Sequence, residues 1–399
     1  MSEAFIVAAV RTAGARKGGR LSGWHPADLA GQVLNSLVDR AQAPPGAVED
    51  VIMGCVGQVG EQGFNIARSA VLASRLPESV PGTSVDRQCG SSQQAIHFAA
   101  QAVMSGTMDI VIAAGVESMT RVPMGLSVAL PQKNGFGFYV GPAMAARYPN
   151  VEFSQFIGAE MMAKKYDLTK DALDEYALHS HQLGAAAVRS GVFRDEILPL
   201  EVRRVSAGGN AAPPDVPGEI HDTDEGVRFD ASLEGIRNVK LIAEGGRVTA
   251  ATASQICDGA AGVLIANERG LKRLGAKPLA RIHHMTMLGH DPVIMLEAPL
   301  PATQTALRKS GLSINDIDLF EVNEAFAPVP LAWIKATGAD PKRLNVHGGA
   351  IALGHPLGAS GAKLMTTLVY SLRTHGKRYG LQTMCEGGGM ANVTVVERI

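Results

Sequence analysis

Cysteine is scarce in this chain. Four are present in 399 residues, Cys55, Cys89, Cys257 and Cys385, and none forms a C-x-x-C pair. That sparse spacing excludes a disulfide framework and a structural zinc site, and it points to a reducing, cytoplasmic setting. An excess of one charge is lacking too: 37 Lys and Arg stand against 38 Asp and Glu, a net charge of −1. The basic surplus of a nucleic-acid binder is therefore absent, and an anionic ligand would have to be met by a local basic patch. Long apolar runs are missing. The run Ile110 to Val116 is far shorter than a bilayer span, so no membrane partner is expected. The start, Met1 to Val7, does not read as a signal peptide. His283, His284 and His290 have no companion cysteines at ligand spacing, so no metal is expected. Gly354 to Lys363 lacks the Gly-Lys-Ser/Thr ending of a nucleotide-triphosphate loop.

What remains is a chain that is 46% hydrophobic and 19% charged, the composition of a compact protein, and too long for one ordinary core. Short β-branched runs alternate with amphipathic stretches, which predicts an α/β fold with helices covering sheets. Strands are expected at Phe5 to Val10, Asp50 to Met53 and Asp109 to Gly115, with helices at Pro26 to Arg40 and Ser92 to Ser105. The C-terminal third repeats this order. Ile314 to Leu319 resembles Val48 to Met53, Ala359 to Arg373 reads as a helix, and Gly380 to Met384 reads as a strand ending in glycines. Gly115 and Cys385 then fall at comparable points of two copies, and an internal duplication is expected. Between the copies, an irregular stretch (Val122 to Val151) precedes a helix from about Thr169 to Ser190. Thr169 is its expected N-cap. A Pro/Gly-rich section including Gly208 to Pro214 follows, and the middle reads as an insertion over the site or at an assembly contact.

Cys89 precedes a helix, where backbone N–H groups without partners lower a thiol pKa and stabilise nearby negative charge. The competing reading is a buried small hydrophobe, the role given to Cys55 and Cys257. His355 lies among glycines and a proline, Gly348 to Gly358, which suits a rigidly held base, although a lone histidine also serves structure. Asn323, after a strand ending near Val322, offers an amide for a water or a substrate oxygen, or is a turn residue. Cys385 lies in Met384-Cys385-Glu386-Gly387-Gly388-Gly389. Glycines beside a sulfur leave backbone N–H groups open to a substrate oxygen.

Taken together, Val85 to Cys89, Gly115 to Met119, Asn323 to Ala327, Gly348 to Pro356 and Cys385 to Gly389 resemble the signatures of thiolases, the acetyl-CoA acetyltransferases and 3-ketoacyl-CoA thiolases. The resemblance runs from Val10-Arg11-Thr12 to the C-terminus. It implies two duplicated βαβαβαββ halves in a five-layer α-β-α-β-α sandwich with an inserted loop domain. The halves are placed at 1–276, with the insertion at about 120–248, and at 277–399. It implies Cys89 as nucleophile, His355 as its activator and Cys385 as the acid–base thiol. Two oxyanion sites follow, one of His355 with a water held by Asn323, one of the Cys89 and Gly387 amides. Coenzyme A is implied as co-substrate, with no permanently bound cofactor, and the partners are acyl-CoA substrates and further copies in a homodimer or homotetramer. Arg228, beside Asp224-Glu225, resembles the residue near the adenine and phosphates, where a surface ion pair is the alternative. Ser254 resembles the serine along the pantetheine, and Met295 a methionine of the acyl pocket, where core packing is the alternative.

Departures from the family pattern sharpen the reading. Asp86 stands where many thiolases have asparagine, Gly90-Ser91-Ser92 where they have Ser-Ser-Gly or Ala-Ser-Gly, and Glu386 where an apolar residue is usual. An inward Glu386 would raise the neighbouring thiol pKa. Phe156-Ile157 replaces the His-Met that fills the pocket of acetoacetyl-CoA enzymes. The whole pattern resembles a bacterial branch linked to sterol and ring-fragment breakdown. The expected function is thiolysis of a 3-ketoacyl-CoA. Condensation of two acetyl-CoA is the alternative, and a non-catalytic CoA- or lipid-binding protein is the alternative of another class. Cys385 disfavours a decarboxylating ketoacyl synthase, and retention of Cys89, His355 and Cys385 together disfavours the non-catalytic reading.

Overall fold

The computed structural model describes residues 2–205 and 218–399; the Pro/Gly-rich section Gly208 to Pro214 lies outside the described residues. In the first copy, β1 (Phe5–Thr12) is followed by α1 (Pro26–Arg40), β2 (Asp50–Gly54), α2 (Ile66–Leu72), β3 (Gly82–Val85), α3 (Ser91–Met104) and β4 (Ile110–Ser118). The chain then leaves the sheet, forming among other helices α4 (Gln155–Lys165) and α5 (Lys170–Ser190), and returns as β5 (Cys257–Ala266). The second copy runs β6 (Ala280–Gly289), α6 (Pro299–Ser310), β7 (Leu319–Val322), α7 (Pro328–Thr337), α8 (Ser360–Thr374), β8 (Tyr379–Glu386) and β9 (Met390–Arg398). Helix boundaries follow the cap chemistry. Pro26 opens α1 with Asp28 in its first turn, and the Thr169 hydroxyl accepts the Ala172 N–H at 3.1 Å to start α5.

The strands are ordered β7-β8-β9-β6-β1-β5-β4-β2-β3, joined across the copies by an antiparallel contact of Phe5 with Arg281 and Ile6 with Ala280. Within each copy the order is the same. β2 pairs parallel with β3 and β4, and β4 runs antiparallel to β5; β7 pairs parallel with β8, which runs antiparallel to β9. A register shift sits at the same point in both first strands, between Ile6 and Ala8 and between Ile282 and His284. The second copy has an isolated bridge of Leu344 to Phe320 where the first has β3.

One cluster packs α1 and α2 on the first sheet, a second packs α6 and α7 on the far face of the second sheet, and a third places α3 and α8 between the sheets. That is the expected five-layer sandwich, with the duplication written in topology. The equivalence deduced from the sequence was displaced, however. Glu49 accepts the Asp109 and Ile110 amides, and Asp318 accepts those of Arg378 and Tyr379. Glu49 thus matches Asp318, not the residue three positions earlier in the second copy. Carried along the strands, the same offset pairs Val116 with Cys385, Glu117 with Glu386 and Ser91 with Ser360. Similar short apolar runs allowed the slip, which register and hydrogen bonding correct.

The excursion between β4 and β5 is tied down by charge. Arg11, fully buried in β1, donates from Nε to Glu196 at 2.6 Å and from its two terminal nitrogens to Asp224 at 2.8 and 3.0 Å. Asp224 also accepts the Gly14 N–H at 2.7 Å, so it serves structure. Removing one member strands a buried charge, which typically costs about 3–5 kcal/mol. Asp224→Ala is expected to lose that much in urea unfolding, while Asp39→Ala, in an exposed pair with Arg75, is expected to stay within about 0.5 kcal/mol of native.

Candidate active site

Three chain segments meet where the central helices begin. The α8 N-terminus packs on α3 so closely that a methyl at Gly361 would overlap the Gln93 backbone nitrogen. The Ser92 hydroxyl accepts the Ala362 N–H at 2.9 Å, and the Gln382 side chain of β8 donates to the Gly361 carbonyl at 2.8 Å. Cys89, part-exposed, therefore sits at the mouth of α3, with Cys385 buried at the end of β8 and His355 buried just before α8.

Cys89 is held in a strained turn. Gln88 takes a left-handed backbone (φ 50°), and the Gln88 carbonyl accepts the Ser91 N–H at 3.0 Å and its hydroxyl at 2.5 Å. The expected helix-end lowering of the thiol is outweighed. Dense packing around the sulfur, then the Glu386 carboxylate, push the Cys89 thiol up to about 12, opposed by its own amide. Cys385 is held well above the ordinary thiol range, first by burial and then by Cys89. At rest both sulfurs carry their protons, and charge at either one is felt by the other. Gly387, after Cys385, faces the Gln88 side chain, which a methyl at 387 would meet at 3.0 Å.

His355 is fixed from both sides. Its amide donates to the Gln255 carbonyl at 3.1 Å. Its Nδ1 lies 2.5 Å from the Ser360 Oγ, which donates onward to the Pro356 carbonyl at 2.9 Å. With that hydroxyl proton committed, Nδ1 carries the ring hydrogen and Nε2 keeps its lone pair. Nε2 faces the Asn323 amide nitrogen at 3.4 Å. Burial, then Lys363, lower the imidazole to about 3, so it is a neutral base across the physiological range. Asn323 is positioned by its N–H to the Thr383 carbonyl of β8 at 3.0 Å; its buried Oδ1 has no partner among the described residues, leaving an acceptor for a water or a substrate donor.

The remaining candidates lie around this centre. Ser254 donates its N–H to the Ala325 carbonyl at 2.9 Å, in the turn after Asn323. Arg228 is exposed, with no ion pair among the described residues. Phe156 and Ile157, both about two-fifths exposed (40% and 42%), line a cavity of about 220 Å³ with Met161, Ile242 and Val248. The Phe156 ring meets Phe326 edge-on at 5.5 Å, connecting the cavity to the Asn323 turn. Met295 is buried in a left-handed backbone (φ 56°) against Gly158, a strained position that core packing alone rarely needs. Cys55 and Cys257 are buried behind the His355 loop, Cys257 against Gly354 and Cys55 against Gly358, and no cluster of metal-ligating side chains occurs among the described residues.

Several supporting residues were missed from the sequence. Ser360 orients the imidazole, and its place in the first turn of a helix close after His355 was the available signal. Lys363, seen only as the wrong ending for a phosphate loop, is buried and donates to the Leu353 and Gly354 carbonyls at 2.5 and 2.8 Å, bracing the loop before His355. Glu324 accepts from Tyr176, Ser180, Asn345 and the Ile351 amide, tying that loop to α5.

Comparison with known proteins agrees with this geometry. Residues 4–269 match the N-terminal domain of thiolases and residues 276–398 the C-terminal domain. The chain is 50% identical to the steroid 3-ketoacyl-CoA thiolase FadA6 of Mycobacterium tuberculosis, over all of this chain and 95% of that protein. It is 39% identical to the 3-ketoacyl-CoA thiolases of Cronobacter sakazakii and of Escherichia coli O139:H28, over the full length of both partners. With both domains matched in order along nearly its whole length, this chain belongs to the thiolase family.

Proposed function

We propose that this thiolase cleaves 3-ketoacyl-CoA substrates with coenzyme A, releasing acetyl-CoA and a shortened acyl-CoA through an acyl-enzyme on Cys89. The observation that carries it is the contact between two sulfur-bearing turns, Glu386 against Gly90 and Gly387 against Gln88, beside an imidazole whose unprotonated Nε2 faces only the long Asn323 amide contact. His355 takes the Cys89 proton as the sulfur attacks the 3-keto carbon. The C2–C3 bond breaks, its electron pair leaves on the acetyl-CoA carbanion, and Cys385 protonates that carbon. Incoming CoA gives its thiol proton back to Cys385 and attacks the thioester. Cys89 leaves as thiolate and recovers its proton from His355. The roles are those of covalent catalysis with separate acid–base groups.

Negative oxygen develops twice. The CoA thioester oxygen faces His355 and a water on Asn323, and the acyl oxygen faces the Cys89 and Gly387 amides. Each such donor is typically worth about 3 kcal/mol of barrier. Exposed Arg228 meets CoA phosphates, Ser254 runs along the pantetheine, and Phe156, Ile157 and Met295 shape the acyl pocket. The open cavity beside Phe156 and Ile157 supports medium or bulky acyl groups, including steroid fragments, over condensation of two acetyl units. The halves divide at 1–276 and 277–399, with the insertion at about 120–248. Exposed Phe64 and Phe136 (97% and 83%) support a homodimer or homotetramer. No helix of the described residues is long and apolar enough to cross a membrane, and we place the enzyme in the cytoplasm.

Thiolysis by the purified protein across acetoacetyl-CoA, linear medium-chain and bulky cyclic 3-ketoacyl-CoAs tests the pocket. kcat/KM is expected to rise with acyl size and to vanish in Cys89→Ala. Preference for acetoacetyl-CoA would make this an acetyl-CoA acetyltransferase, and full activity of Cys89→Ala would remove the acyl-enzyme. The pH profile tests the base. Because His355 stays neutral down to about 3, log kcat/KM is expected to show no acid limb near the ordinary histidine value of about 6.5. A limb there that disappears in His355→Asn would contradict a neutral resting imidazole.

A further inference from the structure

Glu386 is a fully buried carboxyl at the end of β8, and neither of its oxygens has a hydrogen-bond partner of normal geometry among the described residues. Side-chain alternation places it on the same face as Gln382, turned toward the central helices. There it fills the space where residue 90 would carry a Cβ: a methyl at Gly90 would overlap the Glu386 Oε1 and lie 2.6 Å from the carboxyl carbon. The two departures from the thiolase pattern, Gly90 and Glu386, are therefore one structural unit. Each makes room for, or occupies the room left by, the other.

The duplicated fold supplies an internal control. Glu117, the counterpart of Glu386 in the first copy, is also buried but accepts the Val56, Gly57 and Gly358 amides at 2.9, 3.0 and 2.8 Å and the Gln62 side chain at 2.8 Å. Four donors surround one carboxylate, whereas among the described residues its twin has only the Asn392 amide directed at it, without a hydrogen bond of normal geometry. Burial holds the Glu386 carboxyl at about 8, tempered first by the Arg87 guanidinium and then by the Asn392 amide. A buried carboxyl with so little hydrogen bonding is costly, so its place beside Cys89 calls for a function.

We propose that Glu386 is a positioning residue for the nucleophile: seated in the space Gly90 leaves open, it sets the first turn of α3 and, through its own proton, governs how readily the Cys89 thiolate forms. This rests on Cys89 being the nucleophile. Protonated, Glu386 leaves the thiol free to ionise; when it loses its proton, a second negative charge opposes the thiolate. The other charged groups acting on the pair are Arg87 and Asp86 from the loop before Cys89, Glu117 from β4 and Cys385 from β8 itself. Met390 and Asn392, across the β8–β9 turn, carry no charge. Thiolate formation at Cys89 is thus favoured below the Glu386 transition and restrained above it.

The test is the rate of Cys89 alkylation by iodoacetamide, followed by mass spectrometry from about pH 6.5 to 10, in the native protein and in Glu386→Gln. The native log rate is expected to rise, bend to a shoulder near pH 8 and rise again. The Gln variant is expected to rise without a shoulder, matching native at low pH and exceeding it about tenfold at pH 9.5, the ratio given by a one-unit thiol shift. Superimposable profiles, or a native profile without a shoulder, overturn the proposal; the native profile alone decides if the variant does not fold. Gly90→Ala is expected to slow alkylation and Gly90→Ala with Glu386→Ala to restore it, whereas an unaffected Gly90→Ala overturns the steric part. Labelling does not require turnover, so active Cys89→Ala protein would refute the acyl-enzyme without disturbing this comparison.

Discussion

The close approach of two helix N-termini, α3 and α8, in the layer between the sheets is the constraint on which the rest of this structure depends. Each helix comes from one copy of a duplicated unit, and each is preceded by a turn that carries chemistry, Cys89 in one and His355 in the other. Small residues at the contact let backbone meet backbone: a methyl at Gly361 would overlap Gln93. Wider spacing would separate the thiol turn from the imidazole turn and from Cys385 at the end of β8. The five layers support this meeting point, and both sheets deliver their strand ends to it.

Electrostatics inside that contact differ from the simplest expectation for a cysteine before a helix. The Cys89 amide acts on its own sulfur, but burial and a neighbouring carboxyl dominate, and the resting sulfur is protonated. A neutral imidazole of fixed tautomer complements it, and on the proposed mechanism accepts that proton when substrate arrives. On the proposed mechanism, charge forms only during the reaction, when bound substrate and backbone amides are in place to stabilise it.

Much of this was legible in the sequence, and for identifiable reasons. Strands and helices with strong periodicity, such as Phe5–Thr12, Pro26–Arg40 and Lys170–Ser190, fell close to their expected bounds. Thr169 announced its cap. Cys89, His355, Asn323 and Cys385 stood out because unusual residue types occurred in glycine-rich settings. What was hidden depends on partners remote in sequence. The register of the duplication rests on the Glu49 and Asp318 carboxylates, and the tautomer of His355 on the Ser360 hydroxyl. The orientation of Glu386 follows from an absent Cβ nearly three hundred residues away, at Gly90. A local pattern cannot carry that information.

The central claim is that the two sulfurs divide the work, Cys89 holding the acyl group and Cys385 moving the proton. Mixing the protein with a 3-ketoacyl-CoA in the absence of free CoA, then quenching and mapping peptides by mass spectrometry, tests it most directly. The account predicts a shortened acyl group on Cys89 with one equivalent of acetyl-CoA released, and neither event in Cys385→Ala. An acyl group found on Cys385, or formed on Cys89 at native rate without Cys385, would contradict it.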